Sequence, residues 1–183
     1  MTTVLNRIPH HPHPQQRQEA EAFLQNLYNQ PGCAMLFFHI IEMHATGPAE
    51  PDVSIRQAAA VSFKNLVRKR WAPGSEDDDT DTSKLQPMTQ QDRELVKQNI
   101  LNLMCAVPYD VQKQLSEALT IISAHDFPEK WPGLLPDMVT KFTSQDLHII
   151  NGVLRSANAI MKRFRYVSIS PFFPPSLPPS PPA

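Results

Sequence analysis

Apolar residues recur every three to four positions through most of this chain, the period of a helix buried along one side. Ala20, Phe23, Leu24 and Leu27 form the first stripe, and Pro31-Gly32 ends its helix. Leu36, Ile40 and Met43 form the second, with Phe37 and Ile41 widening its apolar face up to Gly47-Pro48. So short a break makes these two helices antiparallel neighbours. Asp52 is placed to cap a third helix that runs to Trp71 on the stripe Ile55, Ala59, Phe63 and Leu66. Arg68, Lys69 and Arg70 close it as surface cations at the negative end of the helix dipole. Thr89 caps the fourth, with Asp92 as an approximate capping box, and its stripe is Val96, Ile100, Leu103 and Val107. Val111, Leu115, Ala118, Leu119 and Ile122 mark a fifth, stopped by Asp126-Phe127-Pro128. A sixth opens at Trp131-Pro132, with Pro132 in the first helical position and Leu135, Met138, Val139 and Phe142 as its stripe. Asp146 starts a seventh, on Leu147, Ile150, Leu154, Ala157, Met161 and Phe164, that runs to about Tyr166.

The first helices of successive pairs start near residues 16, 53, 109 and 146, giving spacings of 37, 56 and 37. The long spacing contains a loop over 72–88; without it, the period is about 40 residues with two helices per unit, the arithmetic of HEAT-type repeats. No unit of this kind buries its stripes alone, so stability comes from stacking neighbours. The predicted fold class is all-α, a HEAT-like α-α superhelix of about three and a half repeats. The expected organisation is a disordered leader over 1–14, two repeats over 15–107, a third over 108–145, a further repeat begun over 146–166, and a disordered Pro/Ser-rich tail over 167–183.

Composition narrows this picture. Only five glycines among 183 residues argue against a sandwich or barrel with its many tight turns. Seventeen basic and eighteen acidic residues give a net charge of −1, so there is no global electrostatic case for nucleic acid. No window reaches the ~18 to 20 apolar residues of a membrane span. Cys33 and Cys105 sit in apolar stretches and read as buried free thiols in a reducing compartment. His10, His11 and His13 lack a second cluster and read as part of a solvated leader, not a metal site. The segment Glu76–Thr82 carries five acids in seven residues and reads as a solvated loop. The chain shows no Gly-rich phosphate loop, no nucleophile elbow and no zinc-protease motif, and the expectation is a binding protein without catalytic residues, cofactor or metal.

Two motifs carry a resemblance. Ile55-Arg56-Gln57-Ala58-Ala59-Ala60-Val61-Ser62-Phe63-Lys64-Asn65, followed by basic residues and Trp71, resembles the second-repeat helix of the importin-β superfamily of nuclear transport receptors. Asp126-Phe127-Pro128-Glu129-Lys130-Trp131-Pro132-Gly133-Leu134-Leu135 resembles a D-F-P-x-x-W-P-x-L-L stretch that recurs there. The runs Gln112–Ser116, His148–Arg155 and Lys162–Arg165 are similar to the branch that returns importin-α from nucleus to cytoplasm. The Ser/Pro/Phe run from Ser168 resembles nothing in that branch and reads as accidental sequence where another helix is expected.

The resemblance implies an importin N-terminal domain over 15–107 and a protein that shuttles between nucleus and cytoplasm through the pore. The implied partners are the GTPase Ran in its GTP form, importin-α by way of later repeats, and possible contacts with the FG repeats of nucleoporins. It implies that the second helix of each pair supplies the Ran-binding surface, with His39, Glu42, Met43, Lys97, Asn102, Asp137 and Lys141 as solvent-side candidates. Phe63, Trp71, Phe127, Pro128, Trp131 and Pro132 are expected to be structural, Trp131 fixing a turn between helices and Trp71 anchoring a helix end. Two other readings are a peptide-binding α-solenoid scaffold indifferent to nucleotide and a truncated, non-functional product.

Overall fold

A computed structural model describes residues 14–43, 50–73 and 86–164. The expected leader up to His13, the acids Glu76–Asp81 and the Ser/Pro tail lie outside the described residues. Those described form seven α-helices and no strand: α1 Pro14–Tyr28, α2 Cys33–Met43, α3 Glu50–Arg70, α4 Gln90–Ala106, α5 Tyr109–Asp126, α6 Leu134–Phe142 and α7 Leu147–Phe164. The chain divides into two compact units between Gln98 and Asn99, inside α4.

In the first unit α2 packs on α3. The buried side of α2 is Cys33, Ala34, Phe37, Phe38 and Ile41. The expected stripe lies elsewhere: Leu36 and Met43 are exposed and Ile40 is half-buried. An eleven-residue helix that is apolar almost all round carries no periodic signal by which to choose its inner face. On α3, Ala59, Ala60, Phe63, Leu66 and Val67 are buried, and Ile55 is exposed. The Phe38 and Phe63 rings meet edge to face at 4.8 Å. The helix begins at Glu50, so Asp52 falls inside the first turn and is not its cap. On α1 only Tyr28 is buried, and Phe23, expected in the core, is 65% exposed. The last turn of α1 tightens, with Asn29 N–H donating to Asn26 O and Gln30 N–H to Leu27 O. Gly32 then turns the chain at φ +79°, a left-handed conformation that glycine adopts without a Cβ penalty.

Arg70 was expected at the surface, complementing a helix dipole; it is buried instead. Its guanidinium donates to the carbonyls of Tyr28, of Gln86 at 2.6 Å and of Pro87 at 3.1 Å. One side chain thus ties the end of α1, the end of α3 and the approach to α4. Met88 N–H adds a bond of 2.9 Å to Arg70 O. Trp71 is buried next to it, with the Arg93 guanidinium 5.3 Å above its ring. Thr89 Oγ1 accepts from Asp92 N–H at 3.1 Å, as a cap should. Asp92 itself is buried, and its Oδ1 accepts from Gly32 N–H at 3.0 Å, so this side chain ties a neighbouring segment to α4.

Burial pushes the Cys33 thiol up to about 11; nearby Arg70 opposes the shift and Asp92 adds to it. A thiol so placed stays protonated near pH 8, and the thiolate is the nucleophile. Iodoacetamide at pH 8 should therefore label Cys33 of the folded chain far more slowly than that of the chain in guanidinium, as read by peptide mass spectrometry. Equal rates in the two conditions would refute the burial argument. Burial also raises the Tyr28 hydroxyl. Both groups hold their protons longer when folded than when unfolded. Their contribution is complete below the unfolded values and is lost as pH climbs from about 8.5 through the Cys33 value of about 11 and beyond.

In the second unit, α5 and α6 each pack against α7. The predicted stripes of α4 and α5 are buried throughout: Val96, Ile100, Leu103 and Val107, then Val111, Leu115, Ala118, Leu119 and Ile122. After α5, Lys130 N–H donates to Asp126 O at 2.7 Å and Trp131 N–H to Pro128 O at 3.3 Å. This turn buries the Trp131 ring, and the Phe127-Pro128 bond within it is cis. The turn displaces the start of α6: Gly133 is the N-cap, so Pro132 lies before the helix and not in its first position. Leu134 and Met138 are its buried residues, whereas Val139 and Phe142 are exposed. Asp146 caps α7, its Oδ1 accepting from His148 N–H at 2.8 Å.

The inner side of α7 is Gly152, Val153, Ser156, Ala159 and Ile160. Much of the predicted stripe lies outside this side: Leu147 is 74% exposed, Leu154 and Met161 are exposed too, and Ile150 and Ala157 are half-buried. Gly152 sets this choice. A Cβ there would lie 2.8 Å from Met104 O and 3.1 Å from Cys105 Cα, so only glycine lets α7 approach the end of α4 this closely. Gln112 Nε2 donates to the same Met104 O at 2.9 Å.

Candidate partner-binding surface

The seven candidate residues fall into two groups. In the first unit, the buried side of α2 leaves His39, Glu42 and Met43 exposed, and Leu36 joins them one turn earlier. Positions 36, 39 and 43 share a helix face. That face carries a leucine, a methionine and an imidazole, with the Glu42 carboxylate at its edge. Lys97 departs from the expectation: it is 5% exposed, and its ammonium bonds Glu94 Oε1 one turn back at 3.1 Å. Its long stem lies buried, so it is not a solvent-side contact residue.

In the second unit, the remaining three come together. Asn102 of α4 is exposed, and its Oδ1 accepts a hydrogen bond from the half-buried Lys141 ammonium of α6. Asp137 stands exposed one turn before Lys141. Asn102 and Lys141 border a cleft of about 480 Å³. Cys105 lines it too, with Ser144 and Asp146 just ahead of α7 and His148 and Ile149 in its first turn.

These α7 residues were not anticipated. The signal was present, since a capping Asp146 fixes the first turn and so sets His148 at the rim. Cys105 is buried, with its Sγ 3.8 Å from Ile149 O. Burial raises its thiol and Lys141 opposes the shift only in part. The cleft therefore presents an ammonium, an amide, an imidazole and a carboxylate, without a thiolate nucleophile. These groups can donate and accept hydrogen bonds.

Among the described residues no group of three or more His, Cys, Asp or Glu side chains is arranged to hold a metal ion, and no helix is long and apolar enough to cross a membrane. Of the residues expected to be structural, Phe63, Trp71 and Trp131 are buried, Phe127 is half-buried, and Pro128 and Pro132 are exposed in the turn after α5.

Residues 20–106 match the model of the importin-beta N-terminal domain. Outside that segment the likeness continues. Exportin-2 of Pagrus major is 42% identical over 155 residues, covering 85% of this chain, and the human exportin-2 is 37% identical over the same length. The Drosophila melanogaster exportin-2 is 37% identical over 153 residues, 84% of this chain.

This chain belongs to the importin-β superfamily. Among solved structures, the exportin Cse1 in its cargo-free, cytoplasmic state is similar, with a TM-score of 0.68 and 30% identity over 84% of the chain. The all-α, HEAT-like solenoid class expected of an importin-β superfamily chain is thereby shown. The chain spans 15% of the length of these relatives and of the Cse1 chain.

Proposed function

We propose that this chain is the Ran-binding N-terminal part of a nuclear export receptor of the exportin-2 kind, and a transport factor, not an enzyme. The observation that carries the reading is the match to exportin-2 of several animals across 84 to 85% of the chain, beyond the importin-β N-terminal domain at 20–106. The exposed faces of α2 (Leu36, His39, Met43) and of α4 with α6 (Asn102, Asp137, Lys141) are the surfaces assigned to Ran. A GTPase switch region holds one shape only while the γ-phosphate is bound, so a rigid helical surface matched to that shape distinguishes GTP from GDP. Importin-α is the proposed cargo of the longer receptor, which shuttles between nucleus and cytoplasm. Ran-GTP and cargo each raise the other's affinity, and hydrolysis removes one and releases the other. A chain with 15% of its relatives' length is not expected to hold importin-α tightly by itself.

The test is biolayer interferometry of the chain against Ran loaded with a non-hydrolysable GTP analogue or with GDP. A preference for the GTP form on the order of 100-fold is expected, with a loss of about tenfold or more for Met43→Glu or Lys141→Glu. Equal binding to the two forms would overturn the reading and favour a nucleotide-indifferent scaffold. A tight ternary complex of the chain with Ran-GTP and importin-α would overturn the assignment of cargo to later repeats.

A further inference from the structure

A second cleft, of about 240 Å³, lies between α5 and α7 and shares no lining residue with the Asn102–Lys141 cleft. Lys113 and Glu117 come from α5, and Arg155, Asn158 and Lys162 from α7. Three cations thus face one carboxylate. The Arg155 guanidinium sits 3.8 Å from the centroid of the Tyr109 ring. Stacking fixes its plane and leaves its edge N–H groups for a planar two-oxygen anion such as a carboxylate.

The two helices run in the same sense. The Tyr109–Arg155 contact marks one end, and the approach of Thr120 Oγ1 to Ala159 O at 3.4 Å lies further along both helices. Lys113 and Arg155 therefore stand at one end of the cleft and Lys162 at the other. Seven residues separate Arg155 from Lys162, a rise of about 10 Å. The intervening hydroxyls are already committed as donors: Ser116 Oγ–H to Gln112 O at 2.7 Å and Thr120 Oγ1–H to Ser116 O at 2.8 Å. What they offer to the cleft is lone pairs, which accept from N–H groups.

We infer that this α5–α7 cleft is a docking groove for an extended acidic peptide with carboxylates three residues apart. A polyproline-II-type strand rises ~3.1 Å per residue with three residues per turn, so such carboxylates lie on one side about 9 Å apart. That spacing matches the two cationic ends. Peptide N–H groups between them meet the Ser116 and Thr120 oxygens. A phosphodiester backbone has no donor to give those oxygens, so the groove favours peptide over nucleic acid.

Fluorescence anisotropy with the full chain tests this. The probe is a short labelled peptide with glutamate at every third position and serine between; a glutamine counterpart and an oligothymidylate of equal charge serve as comparisons. Because Lys113 and Lys162 are exposed, the variant Lys113→Gln/Lys162→Gln should melt at the temperature of the parent chain. The glutamate peptide is expected to bind, to weaken as salt rises, and to lose about tenfold or more in affinity to that variant. Arg155→Gln should weaken it further, and the glutamine peptide should not bind. The inference fails if the parent chain does not bind the glutamate peptide, or if the double variant binds it equally. It fails too if the oligothymidylate binds more tightly and responds to the same substitutions, which would make the groove a nucleic-acid surface. None of these outcomes depends on Ran.

Discussion

Replacing Arg70 with methionine should lower the stability of the first unit by about 3 kcal/mol. Methionine keeps much of the arginine stem's volume and apolar contact, so the change isolates the guanidinium. Its loss strands the buried Tyr28 carbonyl and releases the part-buried carbonyls of Gln86 and Pro87. A buried acceptor left unpaired costs about 1–3 kcal/mol, and the two part-buried ones regain water, which holds the total near the lower end of the sum. Arg70→Lys should recover part of the loss, because an ammonium is a point donor and cannot span three acceptors set around a planar fork. Urea unfolding followed by circular dichroism reads the effect. In a unit of this size, ~3 kcal/mol displaces the melting temperature by more than about 10 °C. An unchanged midpoint in Arg70→Met would mean that the three carbonyls are satisfied without the guanidinium.

The second large effect is expected at Gly152. Alanine there sets a methyl group 2.8 Å from Met104 O and 3.1 Å from Cys105 Cα, both main-chain atoms that cannot rotate away. The helices must separate, which costs about 1–3 kcal/mol, while alanine's better helix propensity returns about 1 kcal/mol. Gly152→Ala should therefore destabilise by up to about 2 kcal/mol. Gly152→Val adds a branched side chain in the same place and should cost about 3 kcal/mol or more. Gly133→Ala is the control, because its Cβ would meet only Asp137 Oδ2, at an ordinary 3.8 Å. Thermal melting of the three variants separates the cases. If Gly152→Val melts with the parent chain, the close approach of α7 to α4 is not what holds the second unit together.

The elements legible in the sequence were those with one apolar stripe and clear stops. On α4 and α5 every predicted stripe residue is buried; on α5 polar residues such as Lys113, Glu117 and Thr120 occupy the other side, whereas α4 buries Leu101, Met104 and Cys105 as well. On α7 two apolar stripes exist, through Leu147, Leu154 and Met161 and through Val153, Ala159 and Ile160. Periodicity alone prefers the bulkier one, and the contact at Gly152 buries the other. Phe23 belongs to a regular stripe yet stays in solvent, since period reports that a helix has an apolar side and not that a neighbour covers it. The start of α6 was misplaced because Trp131 and Pro132 serve a turn, and a proline suits a turn as well as a first helical position.

The candidate surface was legible in the same uneven way. Asn102, Asp137 and Lys141 were assigned to solvent-side positions on two helices, and two of them meet in a hydrogen bond. Lys97, a solvent-side candidate by the resemblance, and Arg70, expected to complement a helix dipole, depart from the expected placement. Both are buried, Arg70 against main-chain carbonyls, an acceptor that every residue carries and no residue type announces.

Met88 N–H donates to Arg70 O, so the chain leaves and returns at one point and the residues between them close on fixed ends. The entropy of such a closure grows only with the logarithm of contour length, about 0.6 kcal/mol for each doubling. An epitope or fluorophore inserted between those two residues is therefore expected to cost little, because the Arg70–Met88 bond pins the helices on either side whatever lies between them.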